Sequence, residues 1–449
     1  MRRKTHIASR QSSPPIFALL LTPSISWIQL ADFAQLRPAA ILASACALST
    51  PLKFEHREQP RYMDCSYRPD PRVCGAERDR LLWRLARRRA LHTEGNHRDM
   101  HMTGDTQAVS RRRKIGRTPL EVSALSLGTA PLGGLYHELT EEAARATVDA
   151  AWQAGIRFFD TAPHYGHTKA EHRLGDALRG YPREEFVLST KVGRRFVPRT
   201  TPDDGSEGWA APLPFQAIYD YTFDGILRSF EDSQMRLGMK DIDVVLIHDI
   251  GRVTHGEKNA HYWKQLTNEG GFRALDELKQ SRGVMAVGLG VNEGDAVREM
   301  MAEYDIDCAL LAGRYTLLEQ NTLDDLLPEC EKRSVSILLG GAFNSGILAR
   351  GLDHQAHGDL KFNYGDAPKD IVERVGKLER VCREHGVALS TAAIQFPYAH
   401  KAVATVLMGA RNPDEVRQNA ASFATPVPPA LWDALRAEGL LHANAPVPR

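Results

Sequence analysis

The sequence predicts an α/β chain that folds, over residues 113–449, as a (β/α)8 barrel (a TIM barrel) with a short N-terminal hairpin. The segment before it, residues 1–112, is expected to be a disordered or upstream-translated extension. Three observations predict the barrel. Eight short apolar runs alternate with amphipathic helical stretches. Ionisable residues stand at the carboxyl ends of consecutive runs, where folds built on parallel strands keep their chemistry. The glycine fingerprint that an open dinucleotide-binding sheet needs after an early strand is missing: Gly133-Gly134 lacks the G-x-G-x-x-G spacing, and Gly288-Leu289-Gly290 opens no suitable helix.

Residues 1–112 are Arg-rich, dotted with proline and poor in sustained periodicity, with apolar patches only as long as Ile16-Phe17-Ala18-Leu19-Leu20-Leu21. Three readings stay open for them: a disordered or upstream-translated extension, a targeting segment (residues 1–30 carry basic and Ser residues and no acid), or a small helical module around residues 78–91. Met100 and Met102 stand just before the ordered region as alternative starts.

The barrel region opens with a hairpin over residues 113–121, turned at Gly116-Arg117, which caps the bottom. The first strand is expected at 122–128. A helix follows at 140–154, with Thr140 as N-cap and Glu141 and Glu142 in its first turn, and then a second strand at 156–160. Strands three to eight are expected at 186–191, 244–248, 285–290, 308–312, 335–339 and 404–408. Two connections, 192–217 and 249–271, are long, and long loops on a compact domain usually shape a binding site.

Composition narrows the partners. Lys+Arg 57 against Asp+Glu 56 gives a formal charge of +1, so no global field favours nucleic acid or an anionic membrane. No apolar run approaches the roughly 20 residues that a membrane helix needs. The 6 cysteines show no CxxC or Cys/His metal spacing, so free thiols in a reducing, cytoplasmic setting and no metal are expected.

Four residues at strand ends carry the chemistry: Asp160 closes strand two, Tyr165 lies in its loop, Lys191 ends strand three and His248 ends strand four. Each alone has a structural explanation as a cap, a loop packer, a snorkelling lysine or a satisfied histidine. Together, at neighbouring strand ends of one mouth, they suit proton transfer coupled to hydride transfer. A free tyrosine titrates near about 10, too high for a base at neutrality, and an adjacent ammonium stabilises its phenolate. Lys191 supplies that charge, Asp160 holds it, and His248 aligns a substrate oxygen. Lowering the phenol by two or three units corresponds to about 3–4 kcal/mol.

On these residues the chain resembles the aldo-keto reductases, whose Asp, Tyr, Lys and His tetrad matches Asp160, Tyr165, Lys191 and His248. The segments Glu171-His172-Arg173-Leu174-Gly175, Ser189-Thr190-Lys191 and Val287-Gly288-Leu289-Gly290-Val291-Asn292 extend the match. Within the family it is most similar to the aldose 1-dehydrogenases acting on L-fucose, L-galactose and D-arabinose, and to pyridoxal dehydrogenase. Arg314-Tyr315-Thr316-Leu317-Leu318 and Gly341-Ala342-Phe343-Asn344-Ser345-Gly346-Ile347-Leu348 carry that finer likeness. The resemblance implies an NAD(P)-dependent oxidoreductase that turns an aldose's anomeric hydroxyl into a lactone. Its alternatives are a pyridoxal or general aldehyde/ketone oxidoreductase, or a non-catalytic subunit that senses cofactor occupancy.

The resemblance further implies a nicotinamide dinucleotide bound across the mouth by the loops after strands seven and eight. Phe343, Ser345, Gly346 and Leu348 come from the first; Gly409, Arg411, Glu415, Gln418 and Asn419 come from the second, with Gln418 and Asn419 at the adenine. Where NADP-preferring members carry basic residues, this chain has Gly409 and Glu415, which favours NAD over NADP, with Arg411 as the counterweight. The usual Ser-Asn carboxamide pair is shifted to Gly290-Val291-Asn292, leaving Asn292 for the amide. The usual strand-six glutamine is replaced around Ala312-Gly313, and the stacking aromatic aligns near Gly340, passing that role to Phe343. Trp209, Tyr262 and Trp263 from the long loops, and His164 beside the tyrosine, are candidate contacts for a small sugar or aldehyde.

Overall fold

The computed structural model describes residues 104–201, 203, 205, 207–352 and 360–448. The three readings of the N-terminal segment up to residue 103, and the two alternative starts, lie outside these.

Eight parallel strands close into a barrel in which each strand pairs with the next and the eighth returns to the first. The strands are β1 (Leu125–Gly128), β2 (Phe158–Asp160), β3 (Val187–Val192), β4 (Val244–His248), β5 (Ala286–Val291), β6 (Cys308–Ala312), β7 (Ser336–Gly340) and β8 (Val403–Gly409). All eight fall on the runs expected from sequence, within a few residues. The first expected strand divides: Glu121–Ser123 belongs to the bottom hairpin, pairing antiparallel with Arg112–Lys114, and only the part from Leu125 joins the barrel.

The core has two compartments, as the period of two along a barrel strand dictates. Inside the barrel, Phe158, Val187, Val244, Leu246, Ala286, Leu310 and Leu338 pack with Ile115, Leu120 and Val122, so the hairpin plugs the bottom with its own apolar side chains. The larger cluster lies between the strands' outer faces and the helices. Gly288 belongs to the inner wall: a Cβ there would come 1.7 Å from the Cys308 carbonyl oxygen of the neighbouring strand.

One element lies ahead of the expected boundary at residue 113. The helix Gly104–Ser110 packs on the helix Pro413–Ala424 and buries Val109, so the packed region begins earlier than the change in sequence texture suggested. The helix Glu141–Gln153 starts where expected, with the Thr140 side chain accepting from the Ala143 amide. Neither long connection is irregular throughout. The first rises as a hairpin, Arg194–Pro198 paired with Phe215–Tyr219, and the second contains the helices Arg252–His255 and Asn259–Thr267. Among the described residues no helix is long and apolar enough to cross a membrane.

Candidate active site

Strand register brings the tetrad together. Asp160 pairs with Ser189, two residues before Lys191 on the same inward face, and His248 pairs with Gly290 on the far side of β4. Lys191 Nζ lies 2.7 Å from Asp160 Oδ2 and donates also to the Thr161 carbonyl and to Tyr165 Oη, each at 3.0 Å. Ser189 Oγ donates to the other Asp160 oxygen at 2.9 Å, which fixes the carboxylate plane. The His248 ring stands edge-on to Tyr165, with centroids 6.1 Å apart.

Close backbone approaches build this geometry. A Cβ on Gly133 would come 2.6 Å from the Tyr165 carbonyl carbon, so the glycine pair after β1 lets that loop pack directly under the tyrosine's turn. A Cβ on Gly290 would come 3.0 Å from Lys191 Cε, so the missing side chain leaves the channel through which the lysine stem reaches the mouth. The Glu171-to-Gly175 stretch works from outside. Buried Glu171 accepts from Thr190 Oγ1 at 2.7 Å and from Arg236, and the Arg173 guanidinium ties down the Leu132 and Leu139 carbonyls.

The electrostatics correct one expectation. Burial disfavours charge on Lys191, yet Asp160 and Tyr165 outweigh it and hold its pKa above the ordinary value, so it is an ammonium. Burial raises the Asp160 carboxyl, against the pull of Lys191. Tyr165 was expected to be lowered. Instead burial raises its phenol above the usual value, with Lys191 opposing and the Asp160 and Asp249 charges adding to the rise, so the phenol keeps its proton. His248 and His164 are both held well below the usual imidazole value, by burial first and then by Arg194 and Lys191, and both are neutral at physiological pH.

Above the tetrad lies a cavity of about 420 Å3, lined by His164, Tyr165, Lys191, Trp209 and His248, together with Asn292. Tyr262 and Trp263, expected to touch substrate, do not line it: they sit on the helix Asn259–Thr267 and pack on the core, with Tyr262 4.2 Å from the His255 ring between centroids. The helix packs Tyr262 against Tyr219, a lining residue, with ring centroids 5.7 Å apart. Sequence reasoning missed Arg194, Asp249, Tyr136 and Tyr364, which also line the cavity. Arg194 and Asp249 follow Lys191 and His248 closely in sequence, and that adjacency was the available signal. Tyr364 comes from the small hairpin Lys361–Phe362 and Gly365–Asp366, too short to leave a periodic pattern.

A second cavity of about 520 Å3 adjoins the first, sharing Ala130, Leu135, Tyr136 and Tyr364, and extends along the mouth past Phe343, Ser345, Gly346, Gly409, Arg411 and Glu415 to Gln418 and Asn419. Leu348, expected here, is buried in the core behind the groove. Asn292 lies in the tetrad cavity rather than the groove, its carbonyl accepting from Arg314 Nε at 2.8 Å. The groove fits a dinucleotide. Gly346, at φ 98°, has nothing within 4 Å of a notional Cβ, so the backbone is bared to groove space. The helix Pro413–Ala424 also points its N-terminus at the far end, a position that favours phosphate or ribose oxygens. Its cap is Asn412 Oδ1, which accepts from the Glu415 amide at 2.9 Å.

An eight-stranded barrel with a lysine, tyrosine, aspartate and histidine in its mouth beside a dinucleotide-sized groove defines a nicotinamide-dependent oxidoreductase. A family model described as the aldo/keto reductase family matches residues 124–437, and the chain belongs to that family, whose members use NAD(P). It is 47% identical over 344 residues to a pyridoxal 4-dehydrogenase from Microbacterium luteolum, covering 74% of this chain and 98% of the relative. It is 37% identical over 320 residues to a D-threo-aldose 1-dehydrogenase from a Pseudomonas species, covering 70% and 94%. Among solved structures, an aldo-keto reductase from Bacillus halodurans in holo form matches with a TM-score of 0.56 at 24% identity, over 75% of this chain and 98% of that one, a likeness of fold.

Proposed function

We propose that the protein oxidises the hydroxyl of a cyclic hemiacetal to a lactone, with NAD as the favoured acceptor. The observation that carries this reading is the Tyr165 hydroxyl, 3.0 Å from the Lys191 ammonium at the floor of a cavity that opens into the groove. The nicotinamide, when bound, supplies the hydride acceptor. Tyr165 Oη takes the hydroxyl proton, Lys191 stabilises the phenolate that must form first, and Asp160 keeps the lysine charged and aimed. Neutral His248 orients the substrate oxygen. In the reverse direction the protonated phenol is the donor to a carbonyl.

Aldoses of the L-fucose, L-galactose and D-arabinose type are the first substrate series. A second reading, pyridoxal, is supported by the 47% identical relative, a pyridoxal 4-dehydrogenase, and by the aromatic walls that Trp209, Tyr136 and Tyr364 offer a flat ring. Both series present a hemiacetal hydroxyl, since pyridoxal's aldehyde closes on its neighbouring hydroxymethyl group. Purified protein is incubated with NAD and each compound while the absorbance of reduced cofactor is followed. Turnover of at least one series is expected, and tight cofactor binding with no turnover favours a cofactor-sensing subunit instead.

NAD is favoured because Arg411 is already engaged. Its Nε and Nη2 donate to Glu415 Oε1 at 3.0 and 2.6 Å, and its amide donates to Glu415 Oε2 at 2.8 Å. Burial would raise the Glu415 carboxyl, but Arg411 outweighs it and holds the pKa below the ordinary value, leaving a carboxylate that repels a 2′-phosphate and accepts from ribose hydroxyls. Glu415→Arg is expected to move the NAD/NADP preference at least about tenfold towards NADP, the scale of one charge-assisted contact. An unchanged ratio contradicts the pairing argument. Buried free thiols at Cys308, Cys330 and Cys382 accord with a cytoplasmic setting.

A further inference from the structure

We infer that Arg194 and Trp209 form a substrate-reading subsite: two buried N–H donors that select a cyclic hemiacetal bearing a ring hydroxyl away from the reacting carbon. The inference rests on the hemiacetal reading and adds what the enzyme recognises beyond the reacting carbon.

Both residues line the tetrad cavity, and Arg194 Nε and Trp209 Nε1 are each buried without a hydrogen-bond partner among the described residues. Neither atom can act as an acceptor, so each asks for an oxygen or nitrogen lone pair from whatever fills the cavity. A buried donor left unpaired is costly, and two in one cavity are a reason for the ligand to bring two acceptors.

Both donors are held in place by protein contacts. The Arg194 guanidinium is ion-paired through Nη2 with Asp249 and lies over the Tyr219 ring, 5.0 Å from its centroid. That pairing offsets the arginine's charge and leaves Nε as a directed donor, suited to a hydroxyl or a delocalised ring oxygen. Asp249 is fixed in turn by its amide, which donates to the Gly290 carbonyl at 2.9 Å, and stands 3.6 Å from His248 Nε2, so the arginine is keyed to the catalytic histidine. Trp209 is set by backbone pairing across the mouth: it bridges Leu135, the Tyr136 amide donates to the Gly208 carbonyl at 2.9 Å, and the Ala210 amide to the Gly134 carbonyl at 2.8 Å. Its ring then stands 5.9 Å from that of Tyr165, between centroids.

A sugar's secondary hydroxyl and the ring hydroxyl of pyridoxal are the same acceptor chemistry from two sources, and the test separates them. The kcat/KM of the unaltered enzyme, Arg194→Lys and Trp209→Phe is measured on L-fucose and its 2-deoxy and 3-deoxy analogues, and on pyridoxal and its 3-deoxy analogue. In the unaltered enzyme, removing the hydroxyl that a donor reads is expected to cost about tenfold or more in one series, because the site's own donor is then stranded. In the variant lacking that donor the penalty is expected to shrink towards unity. Trp209→Phe keeps the aromatic wall and tests the idea even if the arginine variant is recovered poorly. Turnover with the same deoxygenation penalties in both variants as in the unaltered enzyme overturns this inference alone. Absence of turnover in either series by the unaltered enzyme overturns the hemiacetal reading along with it.

Discussion

At the scale of single residues, the site works by opposed local forces on a small set of buried groups. Burial disfavours the charge on Lys191; Asp160 at 2.7 Å and the phenol oxygen at 3.0 Å outweigh it and hold the ammonium. The same burial keeps the Tyr165 proton on, so in the mechanism we propose oxidation begins by removing it, whereas reduction starts from the form already present. Oxidative kcat/KM is therefore expected to rise with pH into the alkaline range and reductive kcat/KM to fall there. Neither is expected to show an inflection near the ordinary imidazole value of about 6.5, because His164 and His248 are held neutral well below it. A limb near that value which disappears in His248→Asn would contradict the assignment. Tyr165→Phe is expected to lower turnover by about 10²–10⁴-fold while NAD binding, followed by quenching of protein fluorescence, is retained.

At the scale of elements, what the sequence made legible is what repeats. Eight apolar runs announced eight strands, and the acid, lysine and histidine at their ends could be placed in one mouth because adjacent parallel strands end side by side. The hairpin Arg194–Pro198 with Phe215–Tyr219 escaped notice because it is a two-stranded ribbon within a loop, with intermediate burial and no clean alternation. Arg194 escaped with it, although it lies three residues beyond Lys191. Tyr262 and Trp263 were misplaced for the opposite reason: they looked like loop aromatics, but a helix forms there and packs them on the core. Glycine spacing proved informative once freed from the dinucleotide motif, since Gly133, Gly288 and Gly290 mark close approaches rather than phosphate contacts. Gly288→Ala is expected to destabilise the barrel by at least about 1–3 kcal/mol, because its Cβ would collide with a backbone oxygen of the neighbouring strand. Chemical denaturation with an unchanged midpoint would show that the strands can separate at little cost.

At the scale of the whole molecule, we propose that the catalytic unit is the barrel together with the helix Gly104–Ser110. That helix abuts the turn before β2: a Cβ on Gly155 would come 3.0 Å from Thr106 Cγ2. Sequence texture set the boundary at residue 113 because seven residues of helix carry too little periodicity to stand out from an irregular segment. A chain starting at Met102 is expected to keep the activity and melting temperature of the full chain. One starting at residue 113 is expected to lose about 1.5–3 kcal/mol, the scale of uncovering a buried side chain such as Val109. Equal stability of the two truncations would show that the helix is dispensable.

The most direct test of the central claim is a coupled product measurement. Purified protein is mixed with NAD and, separately, L-fucose, L-galactose, D-arabinose and pyridoxal, and both reduced cofactor and the organic product are quantified. The account predicts that at least one compound yields its lactone, two hydrogens lighter than the hemiacetal, in equal amount to the reduced cofactor, and that Tyr165→Phe lowers the rate of both together by about 10²–10⁴-fold. Reduced cofactor formed at an undiminished rate by Tyr165→Phe, or no lactone from any of the four despite bound NAD, would contradict it.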